Sequence, residues 1–362
     1  MFFDNVQQGA PDVMYELKLR ADGDTNPNKV DLGVGIYRNE QGLYHELKAL
    51  KDYEVTTGNA EYLRNAARIV ASVQTISGTG SIHIALMFLS RSVQGLEKTV
   101  YVGTPTWGNY QPMCAIAGLS FQPYRHYSPD TGRVDWNSVL EAVHGAAPDS
   151  IFILQACCHN PTAADFSQDQ WKTLAKEMKD RRLLPLFDMA YQGLGNGLDE
   201  DVFGLRHFAQ EGFELLACQT FSKSFGLYGE RVGALHAICP TVQVASAVHD
   251  QLRFLIRSEF SSSPAYGARL VTTILSDPKR ELIWREELNT LHQRLRVLRA
   301  KLFHLLHDVH KETGKSSLAE QDYSVPNGRI TVSGLNERNI EYVALSIDEV
   351  VRASETPIRN HI

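Results

Sequence analysis

The sequence predicts an α/β fold in which helices flank both faces of a mostly parallel sheet, and a second, smaller α/β domain. Between residues 77 and 239, short apolar runs of strand length alternate with stretches of helix length, which is the pattern of βα units. Leucine and valine recur every three or four residues from Leu288 to Val309, which predicts a long helix over residues 285–313. A chain of 362 residues is long enough for one large domain and one small domain.

The predicted elements follow in chain order. Residues 1–11 look like an arm, a short helix begins near Pro11, and residues 30–37 alternate like a strand. A turn at residues 77–81 opens a helix over residues 82–90. Proline cannot donate to a sheet ladder, so Pro185 weakens one strand prediction. A helix is expected over residues 168–182 and a final helix over 337–353. Strands are expected at residues 99–103, 151–156, 183–187, 215–220 and 234–238.

Composition argues against several classes of protein. A net charge of −6 and an isoelectric point near 6.1 disfavour a nucleic-acid or anionic-membrane partner. No run of eighteen apolar residues predicts a transmembrane helix. The five cysteines, odd in number, are typical of reduced thiols and lack metal-site spacing. From the cysteine spacing we expect no metal site. The N-terminus lacks the features of a signal peptide, so we expect a cytoplasmic protein. The mitochondrial matrix stays open if a presequence was removed.

The candidate chemistry centres on Lys223, in residues 220–233 with the sequence TFSKSFGLYGERVG. An apolar strand precedes this segment, so Lys223 lies just beyond a strand end, where α/β proteins place their active sites. A lysine amine can bond covalently to a carbonyl carbon, most commonly that of pyridoxal phosphate. The hydroxyls of Thr220 and Ser222 and the guanidinium of Arg231 would suit the phosphate of that cofactor. For an isolated lysine, a surface position in a polar loop would be the alternative.

Four further segments accompany the lysine segment: SGTGS at residues 77–81, PTWGNY at 105–110, CCHNPT at 157–162 and DMAYQG at 188–193. Together they resemble the aspartate aminotransferase family, class I enzymes of the fold-type I pyridoxal-phosphate transferases. The resemblance spans nearly the whole chain. It implies a large cofactor-binding domain at residues 45–291, a small domain formed by 12–44 and 292–362, and a homodimer with shared active sites.

The resemblance also implies roles for the cofactor residues. Lys223 would hold pyridoxal phosphate covalently and then act as general base and acid. Asp188 would pair with the pyridinium nitrogen, which keeps the ring an electron sink. Tyr191 and Asn160 would donate to the phenolate oxygen of the ring, and Trp107 would stack on it. The phosphate ligands would be Ser77, Gly78 and Thr79 at a helix N-terminus, with Thr220, Ser222, Arg231 and, from the other subunit, Tyr53 in preference to Tyr62.

Two arginines would decide the substrate. Arg329 matches the family arginine that binds the substrate α-carboxylate. Arg257, 34 residues after Lys223, matches the arginine of the partner subunit that binds the side-chain carboxylate in bidentate fashion. Trp107 and Asn160 would also contact the substrate, and Gly35 matches a glycine whose backbone approaches it. The expected reaction is reversible amino transfer between L-aspartate and 2-oxoglutarate, giving oxaloacetate and L-glutamate.

Some features depart from the family pattern. Gln155 stands where the family often has a histidine behind the cofactor, which should tune rather than abolish function. The chain looks short near residues 50, 70 and 314–329, and we favour a natural chain longer than this sequence over true deletions. Two rival functions stay open. One is an aromatic or kynurenine-type aminotransferase that makes little use of Arg257, and the other is a non-catalytic homologue.

Overall fold

The computed structural model describes residues 20, 23–26, 70–313, 340–341 and 343–344. The chain divides into two compact units near residue 294. The described residues of one unit are 70–294, and the remaining described residues belong to the other. The predicted N-terminal arm and the strand at residues 30–37 lie outside the described residues, as does most of the final helix. The predicted domain division therefore stays a prediction.

Seven strands form one sheet in the larger unit, and two short strands form a separate ribbon. In chain order the strands are β1 (Val70–Ile76), β2 (Thr99–Thr104), β3 (Ser120–Arg125), β4 (Tyr127–Ser128), β5 (Arg133–Val134), β6 (Ile151–Gln155), β7 (Leu184–Met189), β8 (Leu215–Thr220) and β9 (Val232–Ile238). The order across the sheet is β1-β9-β8-β7-β6-β2-β3. The five strands from β8 to β3 are parallel, whereas β9 is antiparallel to both of its neighbours. The prediction of a mostly parallel sheet is confirmed.

Helices connect most of these strands. In the described residues they are α1 (Ser77–Ser92), α2 (Tyr110–Ala117), α3 (Trp136–Gly145), α4 (Gln168–Asp180), α5 (Phe203–Gln210), α6 (Val242–Glu259), α7 (Ala265–Leu275) and α8 (Pro278–Thr313), with a 3₁₀ turn at Glu200–Val202. Ser167 begins α4 with a complete capping box shared with Gln170, which satisfies two backbone donors at once.

Two apolar clusters cover the two faces of the sheet. Strand β6 contributes Ile151 and Ile153 to one cluster and Phe152 and Leu154 to the other. Because successive side chains of a strand point to opposite faces, the clusters lie on opposite sides of the sheet. Helices α1, α2 and α6 build the first cluster, and α3, α4 and α5 build the second. Helices on both faces are thus confirmed.

Several element boundaries differ from the predicted ones, most of all the starts of α1 and α8. Helix α1 begins at Ser77 instead of residue 82, because its small residues pack closely on β8: a Cβ atom added to Gly78 would lie 3.1 Å from the Cβ of Thr220. Helix α8 begins at Pro278 instead of residue 285, a first-turn position that proline favours. Strand β7 includes Pro185, which pairs in register with Phe152.

Candidate active site

A cavity of about 120 Å³ opens at the carboxyl ends of the central parallel strands. Gln155 is the last residue of β6, Asp188 is the penultimate residue of β7, and Thr220 is the last residue of β8. Lys223 follows β8 by three residues and lines the same cavity. The parallel alignment of the strands therefore gathers side chains that are far apart in the sequence.

One end of the cavity carries three buried hydroxyl groups. The Ser77 Oγ atom lies 3.1 Å from both the Thr220 Oγ1 and the Ser222 Oγ atoms, and the Thr220 hydroxyl donates to Ser222 Oγ at 3.0 Å. Helix α1 starts here, and its N-cap residue Ile76 provides no side-chain cap for the first-turn N–H groups. Hydroxyl donors and unpaired N–H groups at a helix N-terminus form a binding site for an anion.

Arg231 adds a cation to this end of the cavity. It lines the cavity, and its backbone carbonyl accepts a hydrogen bond of 2.9 Å from the N–H of Ser77. Its Nη1 atom donates to the carbonyl oxygen of Tyr228 at 2.9 Å. The backbone of Arg231 has a φ of 51°, in the left-handed region that few non-glycine residues adopt. These bonds fix the arginine relative to the start of α1.

The buried carboxylate of Asp188 also lines the cavity. Its Oδ2 atom accepts a hydrogen bond of 2.5 Å from the hydroxyl of Tyr110. Burial raises the pKa of Asp188, while the Tyr110 hydrogen bond and the positive charge of Lys223 act in the opposite direction. Among the described residues, none donates a hydrogen bond to the second oxygen, Oδ1. A buried carboxylate with one unused oxygen suits a protonated nitrogen of a ligand.

The remaining walls hold Asn160, Trp107 and Tyr191. Gln155 clamps the main chain of Asn160, since its Oε1 atom accepts from the Asn160 N–H at 2.7 Å and its Nε2 atom donates to the Asn160 carbonyl at 3.1 Å. The Trp107 ring packs edge-on against the Tyr110 ring with 5.3 Å between their centroids. The Lys223 Nζ atom lies 5.0 Å from the centre of the Tyr191 ring.

Most of the residues predicted from the sequence therefore meet at one cavity. They are Ser77, Gly78, Thr79, Trp107, Asn160, Asp188, Tyr191, Thr220, Ser222, Lys223 and Arg231. Arg257 does not line this cavity. It is exposed on α6, bonds to the Ser261 hydroxyl and lines a separate surface depression with Arg253. Gly35, Tyr53 and Arg329 lie outside the described residues.

The donor set fits pyridoxal phosphate. The hydroxyl groups at the start of α1, together with Arg231, suit a phosphate group, and the Asp188 Oδ1 atom suits a pyridinium nitrogen. The amine of Lys223 lines the same cavity and can bond to the aldehyde carbon. In the part of the chain that the structure describes, no cluster of three or more histidine, cysteine or acidic residues could hold a metal ion.

Sequence reasoning missed the contact between Tyr110 and Asp188. Tyr110 closes the segment PTWGNY, but the carboxylate that its hydroxyl contacts lies 78 residues later. It also missed Tyr228, which lines the cavity from within the lysine segment. The glycine-rich context of Tyr228 was the one signal that could have placed it near the ligand.

Comparison with known proteins identifies the family. The model of the family "Aminotransferase class I and II" matches residues 27–347. The aminotransferase tasG of Hapsidospora irregularis is 51% identical over 358 residues, which cover 98% of this chain and 97% of that protein. The cytoplasmic aspartate aminotransferase of rice is 35% identical over 399 residues, covering 96% of this chain and 98% of that enzyme.

The two alignments also bear on the three short places in the chain. The rice alignment extends over 399 positions and this chain has 362 residues, so the rice enzyme carries segments that this chain lacks. The alignment with tasG extends over 358 residues and covers 97% of that protein, so tasG is close in length to this chain. The expectation of a natural chain longer than this sequence stays a prediction.

A solved structure confirms the fold. An aromatic-amino-acid aminotransferase from Burkholderia pseudomallei, covalently bound to pyridoxal phosphate, superimposes with a TM-score of 0.88 at 32% identity, covering 97% of this chain and 99% of that one. The fold is therefore that of the fold-type I pyridoxal-phosphate transferases. In sequence, fold and the donor set of its cavity, the chain belongs to the class I and II aminotransferases, which use pyridoxal phosphate as cofactor.

Proposed function

We propose that this aminotransferase acts on dicarboxylic substrates, exchanging the amino group between L-aspartate and 2-oxoglutarate to give oxaloacetate and L-glutamate. The observation that carries the proposal is Arg257, which is exposed on α6 while its neighbours Leu255 and Ile256 are buried. A planar guanidinium binds a carboxylate with two parallel hydrogen bonds. The 35% identity to a named aspartate aminotransferase supports the same substrate class.

Arg257 lines a depression on its own chain that does not include Lys223. Because it lies apart from its own cavity, we propose that it serves the cavity of the partner subunit in a homodimer. Phe254, one turn earlier on α6, has 65% of its surface exposed, which suits a protein–protein contact. Gly35, Tyr53 and Arg329 keep their predicted roles in this proposal. The predicted domain division and cytoplasmic location are likewise retained.

In this proposal, binding and orientation come from the cavity walls. The hydroxyls of Ser77, Thr220 and Ser222 and the guanidinium of Arg231 hold the phosphate group. Asn160 and Tyr191 would donate hydrogen bonds to the phenolate oxygen, and Trp107 would cover one face of the ring. The Gln155 clamp fixes the loop that carries Asn160. Rigid placement of this kind contributes to catalysis by holding reacting atoms in register.

The proton chemistry belongs to two residues. Pyridoxal phosphate, when bound, supplies a conjugated ring that accepts the electron pair left when the substrate Cα–H bond breaks. Asp188 would keep a proton on the ring nitrogen by offering its Oδ1 atom as a charged acceptor. The amine of Lys223 would remove the proton from the substrate Cα atom as general base and return a proton to the product as general acid. General base and acid catalysis of this type contributes roughly 10²–10⁴-fold to the rate.

The test is a change in the ratio of two activities. Arg257→Ala should lower kcat/KM for aspartate by about 10²-fold, the scale of a lost charged contact, and should affect phenylalanine far less. Arg253→Ala is the matched control, because Arg253 is exposed one turn earlier and lines the same depression. An unchanged aspartate-to-phenylalanine ratio in Arg257→Ala would favour the aromatic-type alternative, to which the B. pseudomallei structure also points.

Mixing variants tests the shared site. A heterodimer of Arg257→Ala and Lys223→Ala subunits would have one cavity with both defects and one with neither, so aspartate activity should return on mixing. If heterodimers form and no activity returns, Arg257 serves its own subunit. An absorbance band near the visible range that aspartate bleaches would exclude a non-catalytic homologue.

A further inference from the structure

We infer that Tyr110 is a positioning residue, which acts through Asp188 to keep that carboxylate ionised and correctly oriented. The inference rests on the proposed role of Asp188 as the partner of the ring nitrogen. Tyr110 is the first residue of α2, and its side chain is completely buried. Its hydroxyl donates to the Asp188 Oδ2 atom at 2.5 Å, a length typical of strong hydrogen bonds to a charged oxygen.

Tyr110 does not line the Lys223 cavity. It lines instead a separate small cavity, with neighbours that include Gln155, Tyr124 and His159. Asp188 does line the Lys223 cavity, and it accepts the hydrogen bond from Tyr110, so it connects Tyr110 to that cavity. Tyr110 therefore occupies one carboxylate oxygen and leaves Oδ1 available on the ligand side. Its ring is held in turn by the edge-on contact with Trp107.

The hydrogen bond opposes the effect of burial on Asp188. Burial alone would favour the neutral carboxyl, which could no longer act as a charged acceptor for a ring proton. The hydroxyl of Tyr110 and the amine of Lys223 both lower the pKa of Asp188. When Lys223 is bonded to the cofactor its charge is redistributed, whereas Tyr110 keeps the same donor at every stage. Burial, followed by the charge of Asp188, raises the pKa of Tyr110, so the hydroxyl remains a donor throughout the neutral range.

The direct test is Tyr110→Phe, which removes a single oxygen atom. Loss of one hydrogen bond to a charged group should lower kcat about tenfold or more, while KM for the amino acid changes less than about threefold. The dissociation constant of pyridoxal phosphate from the apoenzyme, measured by equilibrium dialysis, should rise severalfold. Tyr124→Phe is the matched control: Tyr124 is buried beside the same small cavity, and within the described chain its hydroxyl makes no hydrogen bond.

A double-mutant cycle separates this inference from the role of Asp188 itself. In an Asp188→Asn background, Tyr110→Phe should change kcat less than about threefold, since the residue acts through the missing charge. A full tenfold loss there, or a kcat of Tyr110→Phe within twofold of the wild type, would overturn the inference. If Asp188→Asn alone left kcat intact, the proposed role of Asp188 would fail instead. Should Tyr110→Phe not fold, Tyr110→Met, compared with Tyr124→Met, supplies the same test.

Discussion

Substitution of Gly233 by alanine should weaken anion binding at the end of the cavity that carries the Ser77, Thr220 and Ser222 hydroxyls, without altering a charged group. Gly233 lies in β9 between Thr75 of β1 and Thr220 of β8. A Cβ atom added there would lie 2.5 Å from the carbonyl oxygen of Ser77 and 2.8 Å from that of Gln219. Ordinary contact begins at 3.4 Å, so the Ser77 backbone must move by about 0.9 Å, the difference between 3.4 and 2.5 Å.

Both obstructing atoms belong to the backbone and cannot turn aside as a side chain would. Overpacking of this kind typically destabilises a protein by about 1–3 kcal/mol. Displacement of a binding group by roughly 1 Å can weaken its function by about 10²-fold. Since Ser77 begins α1 and bonds to both other hydroxyls of the anion site, the two effects should appear together.

The assay measures the pyridoxal phosphate dissociation constant of the apoenzyme by equilibrium dialysis, together with the apoenzyme Tm. Gly229→Ala is the matched control, because a Cβ atom at Gly229 would meet nothing within 4 Å. Gly233→Ala should weaken binding at least about tenfold, and Gly229→Ala should not change it. Unaltered affinity in Gly233→Ala would show that the start of α1 does not hold the phosphate group.

Three further outcomes follow from the site. Lys223→Ala should abolish transamination while pyridoxal phosphate still binds in dialysis; turnover within about tenfold of the wild type would contradict the assignment. Burial raises the pKa of Asp188 above its unfolded value of 3.8. Its contribution to the free energy of unfolding is therefore complete below pH 3.8 and is lost as the pH rises through the folded pKa. Asp188→Asn should therefore raise the apoenzyme Tm at pH 7.5 while lowering kcat by about 10²–10⁴-fold, and a lower Tm would argue against it. Burial lowers the pKa of His126 and His159. Their contribution to the free energy of unfolding is therefore present above pH 6.5 and is lost as the pH falls through the folded pKa. A urea unfolding midpoint that stays constant from pH 7.5 to 5 would refute this.

The sequence was sufficient for the parts of the fold that have a strong local signal. The apolar runs at Ile151–Gln155 and Leu215–Thr220 predicted their strands to within one residue, because strands buried on both faces need continuous apolar side chains. Strand β1 was missed, since an edge strand alternates between buried and half-buried residues and has a weaker pattern. Its hydrogen bonds come from β9, more than 150 residues later in the chain.

Contacts between distant segments were beyond sequence reasoning. The hydrogen bond from Tyr110 to Asp188 joins the start of α2 to the end of β7, and no periodic pattern encodes such a pair. The Gln155 clamp is similar: the sequence shows that Gln155 departs from the family pattern, but its bonds to the Asn160 main chain depend on the conformation of the intervening loop. Side-chain geometry of this type follows from the packed structure and not from residue spacing.

The location of the candidate residues explains why the comparisons agree on chemistry and differ on substrate. The groups proposed to hold the cofactor and move protons, such as Lys223 and Asp188, lie on strand ends and loops around one cavity in the larger unit. Of the two residues proposed to select the substrate carboxylates, Arg257 does not line that cavity, and Arg329 lies outside the described residues. Selectivity can therefore change while the strand-end groups stay fixed. Relatives named for aspartate and for aromatic amino acids have nearly the same identity to this chain, 35% and 32%, so overall similarity cannot choose between them. The aspartate-to-phenylalanine activity ratio of Arg257→Ala is the measurement that can choose.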